Sequence, residues 1–148
     1  MVRTVAQGEE VTEQTGAAGV LDASALLALV YEEAGADRLE ATGRRGALIS
    51  SVNWAEALSR MAELGEPVNE SVPHVRVAVA AIGTLTIVPF DEVQSLEVAR
   101  LRPLTKPLGL SLADRACLAL GRLNHLPVLT TDRAWRSLRL SVKIEVIR

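Results

Sequence analysis

Gly19-Val20-Leu21-Asp22-Ala23-Ser24 is the stretch that decides the fold of this chain. The three residues before the aspartate predict a short strand. The run that follows, Ala25-Leu26-Leu27-Ala28-Leu29-Val30-Tyr31, is apolar on every side, which is typical of a buried helix. The aspartate therefore stands where a strand passes into a helix. In an open α/β sheet that junction forms the ligand crevice.

The alternation of strand and helix continues to the end of the chain. Further strands are predicted at 47–49, 85–88, 128–131 and 142–147, and further helices at 36–42, 52–64, 91–101, 111–124 and 134–138. Pro73 divides 69–82 into two predicted helices, because proline fits the first turn of a helix better than its interior. Pro103, Pro107 and Gly109 predict a loop. This order favours βαβ units, and hence an α/β fold with a mostly parallel central sheet.

Length and composition restrict the organisation of the chain. With 148 residues it fits one domain, predicted over 19–148, and the polar residues 1–18 are expected to form a flexible extension. A single cysteine excludes an internal disulfide and fits a reducing compartment, so a cytoplasmic location is expected. No apolar run reaches the roughly 20 residues that cross a bilayer.

Charge and aromatic content limit the ways in which the chain binds nucleic acid. The formal charge of −2 argues against binding by bulk electrostatics, although local basic clusters remain possible. Only Tyr31, Trp54, Phe90 and Trp135 are aromatic, so a platform for stacking bases is excluded. Phosphate-binding glycine loops, a serine nucleophile elbow and zinc-binding clusters are also missing from the sequence. His74 and His125 have no partner spacing typical of a metal site, and Cys117 lies within an apolar helix.

Four acids stand where apolar runs break: Asp22, Glu56, Asp114 and Asp132. Converging carboxylates repel one another unless a cation lies between them, so the hypothesis is a Mg²⁺ or Mn²⁺ site. Ser24, Thr130 and Thr131 flank two of these acids and are suited to orient carboxylates.

Each acid also has a simpler explanation. Asp22 and Asp132 are typical N-caps, and Ser111 with Asp114 has the spacing of a capping box. Glu56 projects to the polar side of its helix, four residues before Arg60. Asp114 shares its helix face with apolar residues, which places it toward the protein body, whereas Arg115 and Arg122 are expected to face water.

Four motifs resemble those of the PIN domain ribonucleases, and among them the VapC-type toxins of toxin–antitoxin pairs. They are Val20-Leu21-Asp22-Ala23-Ser24-Ala25, Asn53-Trp54-Ala55-Glu56, Leu110-Ser111-Leu112-Ala113-Asp114 and Leu129-Thr130-Thr131-Asp132-Arg133-Ala134-Trp135. The resemblance implies a Rossmann-like three-layer α/β/α sandwich. It also implies that the four acids hold Mg²⁺ or Mn²⁺ and that a metal-activated water hydrolyses RNA. Arg44, Arg45, Arg133 and Arg136 are candidates for positioning RNA phosphates.

The resemblance also implies partners, namely a small antitoxin protein and a second copy of the chain in a homodimer. One alternative is a catalytically silent, protein-binding module of the same fold whose acids only cap helices. A haloacid dehalogenase-like phosphatase is a further alternative. That family carries an Asp-x-Asp pair after its first strand, whereas here Ser24 stands two residues after Asp22.

Overall fold

The computed structural model describes residues 16–42 and 44–148, and the first fifteen residues of the predicted extension lie outside this part. The strands are β1 (Val20–Leu21), β2 (Ala47–Ser50), β3 (Leu85–Val88), β4 (Val128–Thr130) and β5 (Ile144–Val146). The helices are α1 (Ala23–Val30), α2 (Ala36–Glu40), α3 (Ser51–Glu63), α4 (Val68–Val79), α5 (Glu92–Thr105) and α6 (Leu112–Leu123). Short 3₁₀ helices follow α5 at Lys106–Leu108 and β4 at Arg133–Ser137.

The five strands form one sheet in the order β3-β2-β1-β4-β5, and every neighbouring pair is parallel. The predicted parallel α/β architecture is therefore confirmed. From the central β1 the chain moves outward to β2 and β3, and then crosses to the other side of β1 to form β4. Strand order thus reverses between β1 and β4, which is the topological switch point where open α/β sheets bind their ligands.

Helices cover both faces of the sheet, because side chains alternate between the faces along each strand. Leu21, Ile49 and Leu129 pack with α1, α3 and α4 on one face. Val20, Leu48 and Val128 are part of the second core, which includes α5 and α6. The predicted three-layer sandwich is confirmed. Asp22 follows β1 directly, at the carboxyl end of the strands and between the two hydrophobic cores of the sandwich.

The prediction of two helices within 69–82 is wrong, because α4 runs unbroken through Pro73. The predicted end of a helix near 101 is also wrong, since α5 continues through Pro103 to Thr105. Both prolines lie on exposed positions. Water can therefore bind the helix carbonyls that the missing N–H groups leave unpaired. Packing of the opposite helix face then stabilises a continuous helix despite the proline.

Residues 16–18 of the predicted extension pack against the domain. Ala17 is buried, and the N–H of Ala18 donates to the carbonyl of Gly46 at 2.9 Å. The Arg45 guanidinium donates to the carbonyl oxygens of Gly16 and Ala17 at 3.3 and 3.5 Å. Among the helices of the described residues, none combines the length and the apolar character needed to cross a membrane.

Candidate active site

Asp22 follows β1 directly and caps α1. Its side chain is 5% exposed, and both carboxylate oxygens are hydrogen bonded. Oδ1 accepts from the Ala25 N–H at 2.8 Å and from the Ser24 hydroxyl at 2.7 Å. Oδ2 accepts from the Thr130 hydroxyl of the neighbouring strand β4. The carboxylate is therefore fixed in orientation by its own helix and by the strand across the switch point.

The hydroxyl groups around Asp22 belong to one hydrogen-bond network. Thr130 Oγ1 also accepts the N–H of Asp132 at 3.1 Å, and Ser24 Oγ accepts the N–H of Thr131 at 3.1 Å. Thr131 thus joins the network through its backbone. The network forms because Leu21 pairs with Leu129 in the parallel register, which places Thr130 beside Asp22.

Burial makes the Asp22 carboxylate a stronger base than a solvated aspartate. Desolvation is the main cause, and it raises the pKa of Asp22 from 3.8 to about 6. Hydrogen bonds from Thr130, Ser24 and Ala25 oppose this rise, and the negative charge of Asp114 adds to it. Asp22 and Asp114 are therefore close enough to repel each other.

Asp114 lies half-buried in the first turn of α6. The Ser111 N–H donates to Asp114 Oδ2 at 2.9 Å, and the Asp114 N–H donates to Ser111 Oγ at 3.1 Å, so the capping box is present. Asp114 does more than cap α6. Its negative charge also raises the pKa values of Asp22, Glu56 and Cys117.

Glu56 lies on the exposed side of α3, as its helical projection predicts. Its pKa is raised by partial burial and then by the charge of Asp114, while Arg60 lowers it. Cys117 is fully buried, and burial raises its thiol pKa, with further contributions from Asp22, Asp114 and Glu56. The charges of Asp22, Asp114 and Glu56 therefore all act on the buried Cys117, although Glu56 itself is exposed.

Asp132 occupies a different position at the same edge of the sheet. Its side chain is exposed, and Oδ1 accepts the N–H of Ala134 at 3.0 Å at the start of the 3₁₀ helix. Within residues 16–42 and 44–148, no three His, Cys, Asp or Glu side chains approach closely enough to form a metal cage. Mg²⁺ usually takes one or two carboxylates and keeps several waters, so an oxygen-only site centred on Asp22 and Asp114 still fits it.

Asn53 is a further candidate site residue, which the sequence analysis missed. It is 1% exposed in the first turn of α3, and its Nδ2 donates to the carbonyl of Ala113 at 3.1 Å. Its Oδ1 is buried without a hydrogen-bond partner in the described part of the chain. Buried amide oxygens are rarely left unpaired, so this atom is suited to accept a hydrogen bond from a ligand. In the sequence, its position three residues before Glu56, about one helical turn away, is the feature that could have identified it.

The candidate phosphate-binding arginines lie at opposite ends of the strands. Arg44 and Arg45 precede β2, at the amino end of the strands, and bind backbone carbonyls there, so the structure does not bring them to the acids. Arg133 and Arg136 are exposed on the 3₁₀ helix that follows Asp132, at the carboxyl end.

The expectation that Arg115 and Arg122 face water is only partly correct, because both contact α5 while the Arg122 side chain is 40% exposed. Arg115 donates to the carbonyl of Val98 at 3.1 Å, and Arg122 pairs with the buried Glu97 at 3.1 Å. Both side chains reach across to α5, which covers part of the polar side of α6. Periodicity distinguishes the two sides of a helix but does not identify what packs against the polar one.

His74 contacts Glu66 and Tyr31, at the far end of α1 from Asp22. Its Nδ1 lies 2.8 Å from Glu66 Oε2, and its ring meets the Tyr31 ring edge-on with centroids 5.8 Å apart. This cluster connects α1 to α4.

Solved structures with a similar fold include toxin–antitoxin complexes. A complex from Klebsiella pneumoniae has a TM-score of 0.60 and 21% identity, covering 80% of this chain and 91% of the other. VapBC2 from Rickettsia felis, bound to a promoter DNA fragment, has a TM-score of 0.65 and 14% identity, with coverages of 85% and 96%. DNA-bound VapBC from Salmonella typhimurium has a TM-score of 0.63 and 16% identity, with coverages of 85% and 95%. These similarities show a shared fold.

Comparison of the sequence itself gives the family. No curated protein matches the chain. The family model for the PIN domain matches residues 19–139, a range that contains all four predicted acids and their flanking hydroxyl residues. The motif resemblance is thereby confirmed, and this chain belongs to the PIN domain family.

Proposed function

We propose that this chain is a Mg²⁺- or Mn²⁺-dependent endoribonuclease and the toxin of a type II toxin–antitoxin pair, acting in the cytoplasm. The observation that carries the proposal is the Asp22 carboxylate. It is buried at the switch point, held by the hydroxyls of Ser24 in α1 and Thr130 at the end of β4, and repelled by Asp114. A cation between Asp22 and Asp114 would remove that repulsion.

The four acids have different roles in this proposal. Asp22 and Asp114 hold the cation directly, with Ser24 and Thr130 fixing the orientation of Asp22. Glu56 takes a proton from the attacking water in this proposal, and its raised pKa supports that role. Asp132 orients water at the rim of the site. A bound Mg²⁺ or Mn²⁺ supplies activation of that water and neutralises charge on the phosphoryl oxygens.

Cleavage of labelled single-stranded RNA tests the proposal. The full chain should cut the RNA when Mn²⁺ or Mg²⁺ is present, and excess EDTA should stop the reaction. Asp22→Asn should abolish cleavage. Asp91→Asn is the matched control, because Asp91 caps α5 through the same bond, Oδ1 to the Gln94 N–H at 2.9 Å. Cleavage that survives exhaustive chelation would overturn the metal mechanism.

One observation favours the alternative of a catalytically silent protein-binding module. Asp22, Asp114 and Asp132 all accept backbone N–H groups at helix starts, so each has a structural role without a metal. Titration with Mn²⁺ separates the two proposals. A silent module should bind no divalent ion at this site.

The toxin role includes two protein partners. Support for an antitoxin comes from the toxin–antitoxin complexes that share the fold. Support for a homodimer comes from large apolar side chains exposed on helices or directly after one, notably Leu64, Val77, Leu96, Leu104 and Leu112. Light scattering tests both, by measuring the mass of the chain alone and after mixing with a candidate antitoxin protein.

A further inference from the structure

Strand β3 is one edge of the sheet, and its outer side is open in the described part of the chain. The Ala47 N–H donates to the carbonyl of Thr84 at 2.9 Å, and a parallel strand bonds to one neighbour through alternate residues. Leu85 and Ile87 therefore direct their N–H and C=O groups away from the sheet. Because β3 contains neither a charged residue nor a proline, it lacks the features that usually keep a free edge from pairing.

A groove lies beside this edge, on the sheet face that α3 and α4 cover. Its volume is about 330 Å³, near the lower end of the range for ligand sites, which suits the side chains of a peptide. An edge strand next to such a groove can bind an extended peptide, since the strand pairs with its main chain and the groove takes its side chains. We name it the β3 groove, and its members include Trp54, Val75, Arg76, Val79, Leu85 and Ile87.

Arg76 gives the β3 groove a positive charge. It is exposed, no acid lines the groove, and Arg76 has no ion-pair partner among the described residues. The positions one helical turn away from it on α4 and at its C-cap are Val72, Pro73, Val79 and Ala80, so no acid neutralises it from its own helix. The groove therefore fits an occupant that combines apolar and acidic residues.

Residues 1–15 lie outside the described part of the chain, and their sequence has this composition. They contain three valines and three threonines but no proline, which favours an extended strand. They also contain three acidic residues and one basic residue, a formal charge of −2, whereas residues 16–148 contain fifteen of each. The excess negative charge of the chain is therefore concentrated in this segment. The acids are Glu9, Glu10 and Glu13.

The described part of the chain begins close to the groove. Arg45 holds the carbonyls of Gly16 and Ala17 at the amino end of β2, and Gly46 in turn packs against Thr84, which also lines the groove. Neighbouring strands lie about 4.8 Å apart, so a strand added outside β3 would lie about 10 Å from β2. Three or four extended residues cover about 10 Å, which leaves about ten residues of the segment to lie along β3.

We propose that residues 1–15 add a strand to the outer edge of β3, with a valine side chain in the β3 groove and a glutamate paired with Arg76. The added strand is antiparallel to β3, because the segment leads toward Gly16 at the amino end of the sheet. Tethering gives the segment an effective concentration in the millimolar range, so a few contacts suffice. The groove of a second copy has no acid to pair with Arg76. This inference does not depend on the proposed ribonuclease function.

Amide hydrogen exchange of the full chain, followed by NMR in EDTA, tests whether the edge is paired. The Thr86 and Val88 amides face β2 and should exchange slowly in either case. With a strand added, the Leu85 and Ile87 amides should exchange as slowly as their neighbours. Rapid exchange at Leu85 and Ile87, alternating with slow exchange at Thr86 and Val88, would overturn the proposal.

Reversing the charge of the groove tests the ion pair. Arg76→Glu should speed the exchange of the Leu85 and Ile87 amides about tenfold, because an attraction becomes a repulsion. Arg102→Glu is the matched control, since it makes the same change at an exposed position on α5 outside the groove, and should leave both rates unchanged. Equal effects of the two substitutions would overturn the proposal, because net charge alone would explain them.

Exchanging the charges identifies the segment as the partner. Glu9→Lys, Glu10→Lys and Glu13→Lys, introduced together with Arg76→Glu, should restore slow exchange at the edge. The same three lysines in a chain that keeps Arg76 should speed it. Failure of the lysines to restore slow exchange in a folded chain would overturn the proposal.

A spin label shows whether the segment lies in its own groove. Cys117 is fully buried, so a thiol-reactive nitroxide will attach to Thr4→Cys. This label should broaden the NMR signals of Ile87 and Trp54 in the same molecule, and the control label on Ser137→Cys, exposed on the far side of β1 from β3, should broaden them much less. Broadening between labelled and unlabelled molecules would assign the groove to a second copy. Slow exchange without any broadening would assign it to another ligand, and either result would overturn the proposal.

Discussion

Replacing Asp22 by Asn should make the metal-free protein more stable at neutral pH. Asp22 binds its proton more tightly in the folded state, because burial raises its pKa from 3.8 to about 6. The contribution of this carboxyl group to the stability of the folded state is therefore fully present below pH 3.8. It is lost as the pH rises through about 6. Asn carries no charge and lacks this loss.

The size of the effect follows from the shift. About two pKa units correspond to about 3 kcal/mol at high pH, of which about 1 kcal/mol is lost between about pH 5 and about pH 7.5. The Asn Oδ1 can still accept from Ser24 and Ala25. Its Nδ2 meets Thr130, whose hydroxyl must turn, at a cost of about 1 kcal/mol. The variant should therefore gain up to about 2 kcal/mol at about pH 7.5.

Urea unfolding in EDTA measures this difference. Loss of fluorescence from the buried Trp135 and the half-buried Trp54 reports the transition at each pH. Asp91→Asn controls for the exchange of a capping Asp for Asn, which should change stability by only a few tenths of a kcal/mol. If Asp22→Asn is less stable than the parent at both pH values by the same amount, the carboxylate is a stabilising cap and the reasoning is refuted.

Three further predictions concern the metal, Asn53 and the start of the domain. Mn²⁺ should raise the Tm of the parent chain by binding only the folded state, and the rise should shrink in Asp114→Asn; an equal rise in both would remove Asp114 from the site. Asn53→Ala should lose less stability than Asn124→Ala, because it removes an unpaired buried oxygen together with the hydrogen bond to Ala113. Only Asn53→Ala should reduce the rise in Tm that Mn²⁺ causes. Equal Mn²⁺ effects in the two variants would leave Asn53 a purely structural residue. A chain that starts at Gly19 should have a free energy of unfolding about 1–2 kcal/mol lower than one that starts at Gly16, since it lacks the buried Ala17 and the Ala18 hydrogen bond. Denaturant unfolding of the two chains measures this difference, and identical midpoints would contradict the prediction.

Local interactions explain why the sequence predicts so much of this fold. The strands, most helices and the caps depend on neighbouring residues, as when Asp22 accepts the N–H of Ala25 or Asp114 pairs with Ser111. The four acidic motifs are also local in sequence, so they could be found without a structure. The predictions that failed, at Pro73 and Pro103, are places where packing of one helix face outweighs a local rule.

Only the tertiary structure decided how these pieces meet. The strand order and register place Thr130 beside Asp22, 108 residues away in sequence. Desolvation in the assembled fold raises the pKa of Asp22, and the hydrogen bond from Thr130 partly opposes that rise. The same packing turns Arg122 toward Glu97, leaves Arg45 at the wrong end of the sheet for the acids, and buries Asn53 beside Ala113. Periodicity specifies which face of an element is apolar, but burial and electrostatic coupling depend on what covers that face. The covering elements come from distant parts of the chain, so their effect on Asp22, Glu56 and Asp114 emerges only when the sheet is assembled.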